Sequence, residues 1–372
     1  MLFIGDKNRN RNYMIDVARG ISIIYIVTGH CVSVFDIYLG LFHVSVFFYI
    51  SGRLYNEKYG QSISSLIKML IRRVKGLYIP FVAYNFVFIL LHNFFYKIHF
   101  YHTPDLWPSN RMTIYTGISQ CLKDIVKVFC FAHVEQLLAP FWFLPVLFLV
   151  ILQFGLISYI INKMRVKKKE QVRFFIMALL FLTACAVSWK SNVILRPLQI
   201  SWLGMIMYYM GVLAQKWLNS NKGIYNIYAA IICFVYIIVS KEYGSIGFAA
   251  MEISSPGFFI MCSMAGIYLT MCISYVVVNY SRRVKDILCV IGRSTIEIMA
   301  LHYLSFKLIS FVIILVYNYD IIYLGYPTIK SNILWQFLYL AAGVCLPLCF
   351  KIVINMVKQR LSDFRKGNRY RY

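Results

Sequence analysis

Apolar residues in this chain run in blocks of the length that crosses a bilayer, about 20 residues for a hydrocarbon core of about 30 Å, and the blocks recur from one end of the sequence to the other. Ten spans are predicted: Tyr13 to Val34, Ile37 to Tyr55, Leu77 to Tyr96, Phe141 to Ile161, Phe174 to Trp189, Pro197 to Lys216, Gly223 to Ser240, Pro256 to Asn279, Ile287 to Tyr317 and Ile333 to Val357. The ninth is too long for one straight crossing and predicts a break within it. The longest connection, Lys97 to Pro140, contains Pro104, Pro108 and an amphipathic run from Cys121 to Leu138 suited to an interfacial helix. The expected fold class is all-α, a polytopic membrane helical bundle, with 1–372 as one transmembrane domain, an outer connection at 97–140 and a basic tail at 358–372.

Composition agrees: 60% of residues are hydrophobic and 14% charged, far from the roughly one quarter charged of a soluble domain. The excess of 38 Lys and Arg over 14 Asp and Glu would suggest nucleic acid in a soluble protein. Here the basic residues gather in alternate connections and both tails, the positive-inside pattern, which places both termini in the cytoplasm. The stretch Lys163 to Lys169 is expected simply to meet anionic lipid head groups. The ten cysteines lie mostly in apolar segments without metal-ligand spacing and read as small buried hydrophobes. The basic leader runs straight into a full-length apolar segment, so the first span is expected to be a retained signal anchor.

A charge inside a bilayer costs at least about 2.5 to 3.5 kcal/mol, so the polar residues within spans are the informative ones. The first span carries Asp16, Arg19 and His30. Asp16 and Arg19, three apart, share a helix face. Arg19 and His30, eleven apart, return to within about 20° of one face with a rise of about 16 Å. The second span places His43 near one end and Ser51 near the other; the ninth places Arg293 low, Glu297 near the middle and His302 high. Two polar layers result: Asp16, Arg19, Ser51 and Arg293 below, His30, His43 and His302 above.

Through these residues the chain resembles the membrane acyltransferase-3 family of bacterial sugar O-acyltransferases. Four stretches carry the resemblance, in order: Arg-x10-His from Arg19 to His30; LFHVSVFFYISGRLY from Leu41 to Tyr55; FWFLPVLF from Phe141 to Phe148; and IGRSTIEIMALHYL from Ile291 to Leu304. Met299 stands where an aromatic is usual and Val44-Ser45-Val46 where Met-Pro-Leu is usual; neither departure removes a polar group.

The resemblance implies a multi-pass protein of the bacterial inner membrane, with acyl-CoA, acetyl-CoA first, entering from the cytoplasm and a carbohydrate hydroxyl (polysaccharide, O-antigen or lipid-linked glycan) from the other side. His30 is the expected base that takes the hydroxyl proton. Arg19, Arg72 and Arg73, with Arg293 and Ser51, are expected at the CoA end. Glu297 or Asp16 would orient or compensate a neighbour, and His43, His302 and Trp142 would meet the acceptor or the oxyanion. Each has a plainer reading. Asp16 neutralises Arg19, the paired arginines only set orientation, a buried imidazole bridges helices, and Trp142 anchors an interface. His92, His99, His102 and His133 read as solvated or interfacial, and Lys307 and Lys351 have no assigned part. Acetyl and succinyl, and direct transfer or an acyl-histidine, stay open. No metal is expected. The competing function is a glycan-precursor transporter or flippase, which needs no CoA.

Overall fold

The computed structural model describes residues 12–31, 34–102, 113–164, 166–187, 195–218, 225–329 and 332–369, with side chains to Arg360. Its helices are α1 (Tyr13–Gly29), α2 (Asp36–Leu39), α3 (His43–Arg53), α4 (Ile63–Arg73), α5 (Ile79–Leu90), α6 (His92–Lys97), α7 (Ile118–Phe129), α8 (Phe143–Lys163), α9 (Lys169–Ala186), α10 (Leu195–Leu218), α11 (Ile227–Ser240), α12 (Pro256–Tyr280), α13 (Arg282–Gly292), α14 (Thr295–Tyr317) and α15 (Ile333–Arg369). The strands are two short ones, β1 (Ile246–Gly247) and β2 (Glu252–Ile253), paired antiparallel. The chain is therefore an all-α bundle.

Among the described residues, six helical stretches are long and apolar enough to cross a membrane: Ile63–Leu90, Gln136–Lys163, Leu195–Trp217, Pro256–Tyr280, Thr295–Tyr317 and Ile333–Arg360. The other predicted spans fall on shorter or interrupted helices. The second breaks between α2 and α3 at Gly40–Phe42. The third starts earlier than its apolar residues suggest, because amphipathic α4 continues through a π turn, Val74–Tyr78, into α5; it ends at Leu90, with a non-helical Leu91 before α6. The ninth is two elements, broken at Arg293–Ser294. Its first part, α13, is amphipathic, and its apolar face lies on α1. The amphipathic run in the long connection folds as α7 and then a 3-10 segment, Gln136–Trp142, that leads into α8.

α1 packs against α3, α12, α13, α14 and α15, which makes it the central helix. Glycines let it and its neighbours approach backbone to backbone. A Cβ on Gly20 would lie 2.3 Å from the Leu288 carbonyl oxygen and one on Gly292 2.0 Å from that of Asp16, so α1 and α13 touch through both. α3 and α10 meet the same way: a Cβ on Gly52 would lie 1.9 Å from the Tyr208 oxygen and one on Gly211 2.1 Å from that of Tyr49. Small residues at crossings are what helix association in lipid requires, since lipid tails supply no hydrophobic drive between helices. Outward faces stay apolar, as with Phe175, Ile232 and Phe337, the surface a bilayer would cover.

Gly52→Ala and Gly211→Ala should each lower stability by about 1–3 kcal/mol through overpacking against backbone. Gly257→Ala, where nothing lies within 4 Å, should leave it unchanged. Thermal midpoints of the detergent-purified variants check this; equal midpoints for all three would refute the close α3–α10 approach.

Candidate active site

α1 is unbroken to Gly29, and the His30 backbone N–H still donates to the Ile26 and Val27 carbonyls at 3.1 and 3.2 Å. Helical phase therefore carries from Arg19 to His30 and keeps both on one face. α14 brings a second imidazole: the His30 and His302 rings stack with centroids 5.4 Å apart and planes 21° apart. The Tyr303 hydroxyl lies 3.0 Å from His30 Nδ1. His43, first residue of α3, is within electrostatic range of His30 and its Nδ1 donates to the Leu39 carbonyl at 2.7 Å. Three histidines from three helices thus come together.

For His43 and His302 the hydrogen bonds fix the tautomer. An imidazole nitrogen facing a carbonyl must carry the proton, leaving the other nitrogen with the lone pair. His302 Nδ1 donates to the Ile298 carbonyl at 2.9 Å, so its Nε2 is an acceptor. That Nε2 is buried with no hydrogen-bond partner among the described residues. Gly343 of α15 closes the back, against the His302 Cβ, Phe306 and Val27.

The basic end of the same face is built around Arg19, which is half-buried and feels the charges of Asp16 and Arg73. Asp16 is buried. Arg73 ends α4 and lies in electrostatic range of Tyr208, a fully buried tyrosine whose hydroxyl has no partner among the described residues. Other predicted members stand apart. Arg72 is exposed and donates to the Tyr59 hydroxyl at 2.6 Å. Arg293 is exposed and turns back, its Nε donating to the Cys289 carbonyl at 2.9 Å. Ser51 is half-buried on α3 beside the α10 contact.

Glu297 is not at mid-depth. Because α14 starts only at Thr295, Glu297 sits in its first turn, in an ion pair of 3.0 Å with Lys351, and about 7.5 Å of rise separates it from His302. Lys351 also donates to the Arg293 carbonyl at 2.7 Å, stitching α15 to the α13–α14 break. Lys307 is buried and donates to the carbonyls of Leu324, Gly325 and Tyr326 at 2.6, 3.3 and 2.9 Å. Trp142 closes the 3-10 segment and lines a cleft whose lining does not include His30, His43 or His302. Among the described residues, no cluster of His, Cys, Asp or Glu could hold a metal ion.

A second polar cluster, which no spacing in the sequence signals, surrounds Glu135. His92 is not solvated but buried, with its Nδ1 3.1 Å from Oε2 of the fully buried Glu135 and its Nε2 3.1 Å from the Thr113 carbonyl. With both nitrogens facing acceptors, this ring is an imidazolium. Glu135 also accepts from Tyr101 at 2.8 Å, from Tyr115 at 3.3 Å and from His133 Nε2 at 3.3 Å, and its backbone N–H donates to Asn85 Oδ1 at 3.1 Å. Burial would raise the Glu135 carboxyl, but the hydrogen bonds from His133, His92 and Tyr101 pull it down to about 2. Burial would lower His92, but the bond to Glu135 and its charge outweigh burial and raise it above its ordinary value.

Three comparisons bear on the chain. A family model described as an acyltransferase domain, of the acyltransferase-3 type, matches residues 12–352. No curated protein and no solved structure matches.

The His92 contribution to stability is complete below the unfolded imidazole value of 6.5 and is lost as pH rises through the raised folded value. That of Glu135 is complete above its unfolded value of 4.5 and is lost only as pH falls through about 2. His92→Gln, which strands a buried carboxylate, should therefore cost roughly 3–5 kcal/mol in mildly acidic solution, and the gap to wild type should narrow as the solution is made alkaline. Thermal midpoints across that range test this; a gap independent of pH would refute the imidazolium.

Proposed function

Since the chain belongs to the acyltransferase-3 family and is on that ground a membrane acyltransferase, we propose that it moves an acyl group, acetyl first, from cytoplasmic acyl-CoA to a hydroxyl of a surface or exported carbohydrate. In this reading α1, α3, α9 and α11 join the six long apolar helices to make ten crossings of a bacterial inner membrane. Both termini then lie on the cytoplasmic side, where the basic connections gather.

The observation that carries the reading is the face of α1 that holds Arg19 at the basic end and His30 at the other, with Tyr303 on His30 Nδ1 at 3.0 Å. Donation from Nδ1–H to the tyrosine oxygen leaves Nε2 free as a base. Nε2 takes the acceptor hydroxyl proton as the oxygen attacks the thioester carbonyl carbon. The C–S bond breaks when the tetrahedral intermediate collapses, and the imidazolium returns the proton to the leaving CoA thiolate. His302 Nε2, an acceptor, is suited to a second acceptor hydroxyl, and His43 lies within electrostatic range of His30. Arg19 and Arg73 grip the anionic end of CoA through charge-assisted hydrogen bonds, with Asp16 tempering Arg19; Arg72, Arg293 and Ser51, which stand apart from Arg19, have no direct part in this grip. Glu297, tied to Lys351, positions α14 against α15 in this scheme.

His30→Ala should abolish acylation in membranes supplied with acetyl-CoA while the protein still purifies as a folded species. Tyr303→Phe, losing one orienting bond, should lower kcat roughly tenfold, about 1.4 kcal/mol, with little change in KM for acetyl-CoA. Acyl transfer assays read both, and undiminished transfer by the His30 variant would sink the assignment. A purified protein that moved a lipid-linked sugar without binding any acyl-CoA would favour the transporter instead.

A further inference from the structure

The loop at Phe131–Val134, the start of α8, the first turn of α10 and the hairpin that carries Ala249 enclose a cleft of about 420 Å³, within the range of small-ligand pockets. Its walls are apolar and aromatic apart from two groups, Arg196 and His133. The Trp142 ring is wedged against Phe143 and Phe248, with centroids 6.1 and 6.2 Å away, so it forms a fixed flat wall. His133 has both ring nitrogens turned to carboxylates, Nε2 to Glu135 at 3.3 Å and Nδ1 towards Asp124 at 3.9 Å. What it offers the cleft is ring surface rather than an N–H.

Arg196 is the cation of this cleft. It is half-buried, and its Nη2 donates to the Ala249 carbonyl at 2.9 Å, which pins the guanidinium. A guanidinium carries five N–H donors in a planar fork matched to a carboxylate, and one such bond is accounted for. No acidic residue lines the cleft, and no carboxylate is paired with Arg196 among the described residues. The charges of Asp124 and Glu135 are already met by Lys127 at 2.7 Å and by His92 at 3.1 Å. A pinned, unpaired guanidinium beside flat aromatic walls is the arrangement that holds a sugar ring by stacking and its acid group by a two-pronged ion pair.

We propose that this cleft binds an acidic saccharide, its carboxylate on Arg196 and its ring against Trp142. The proposal rests on the transferase reading to the extent that it makes this saccharide the acceptor. The 3-10 segment that ends in Trp142 packs along α14, so a chain seated here has one structural element between it and the helix of His302 and Tyr303.

The test is calorimetric titration of the full-length, detergent-purified protein with trigalacturonate and with its methyl ester, which keeps the ring skeleton and removes the charge. Trigalacturonate should bind at least tenfold more tightly than the ester. Arg196→Gln should erase that difference, and Trp142→Ala should weaken both ligands about tenfold. Should Arg196→Gln fail to elute as a folded species, Arg196→Lys, which keeps the charge but loses the fork, should retain only part of the preference. Equal affinities for the two ligands, absence of binding, or an undiminished preference in the Arg196 variant would overturn the proposal. Acid preference without acyl transfer from acetyl-CoA to any saccharide would leave the cleft standing and remove the transferase reading. Acyl transfer to neutral saccharides with no acid preference would do the reverse.

Discussion

Everything at the candidate site depends on how closely α1 lies against α13. Gly20 and Gly292 face carbonyls of the opposite helix at distances no side chain would tolerate, and the chain turns from α13 into α14 immediately afterwards. That contact sets the depth and azimuth at which α14 passes α1, and hence puts His302 and Tyr303 against His30 rather than a turn above or below. A methyl at either glycine would push the backbones apart, and imidazole contacts of 3.0 to 5.4 Å do not survive a shift of that size. In lipid, where no hydrophobic drive presses helices together, close backbone contact of this kind is the main source of precise placement.

The polar groups are economical in consequence. Many intramembrane polar side chains have a partner on a neighbouring turn or helix, as Ser22 has with Ala18 and Ser45 with Ser263 at 2.7 Å each. Among the described residues several buried polar atoms lack a hydrogen bond, including Ser158 Oγ, the hydroxyls of Tyr55 and Tyr208 and Nε2 of His302, and each such atom costs roughly 1–3 kcal/mol. His302 lies against His30, and Tyr208 lies in electrostatic range of Arg73.

Much of this was legible in the sequence, and the reason is periodicity. Arg19 and His30 lie on one helix, so their common face follows from the turn angle alone, and the length of the ninth apolar run announced the break that the structure puts at Arg293–Ser294. What was not legible depended on tertiary contact or on where a helix begins. Tyr303, adjacent to the conspicuous His302, looked like one more aromatic among many until α1 was laid beside it. The Glu135 cluster joins residues 43, 34 and 20 positions apart in a connection with little regular structure, so no spacing rule reveals it, and its histidines read as solvated for the same reason. Glu297 seemed to sit at mid-depth only because α13 and α14 were counted as one helix.

The ammonium of Lys307, clasped by three successive carbonyls, has a mechanical consequence. Pulling the 324–326 turn away would leave a positive charge without acceptors in apolar surroundings, a penalty of several kcal/mol. That turn and α14 are therefore tied together, and a displacement of the helix carries the turn with it.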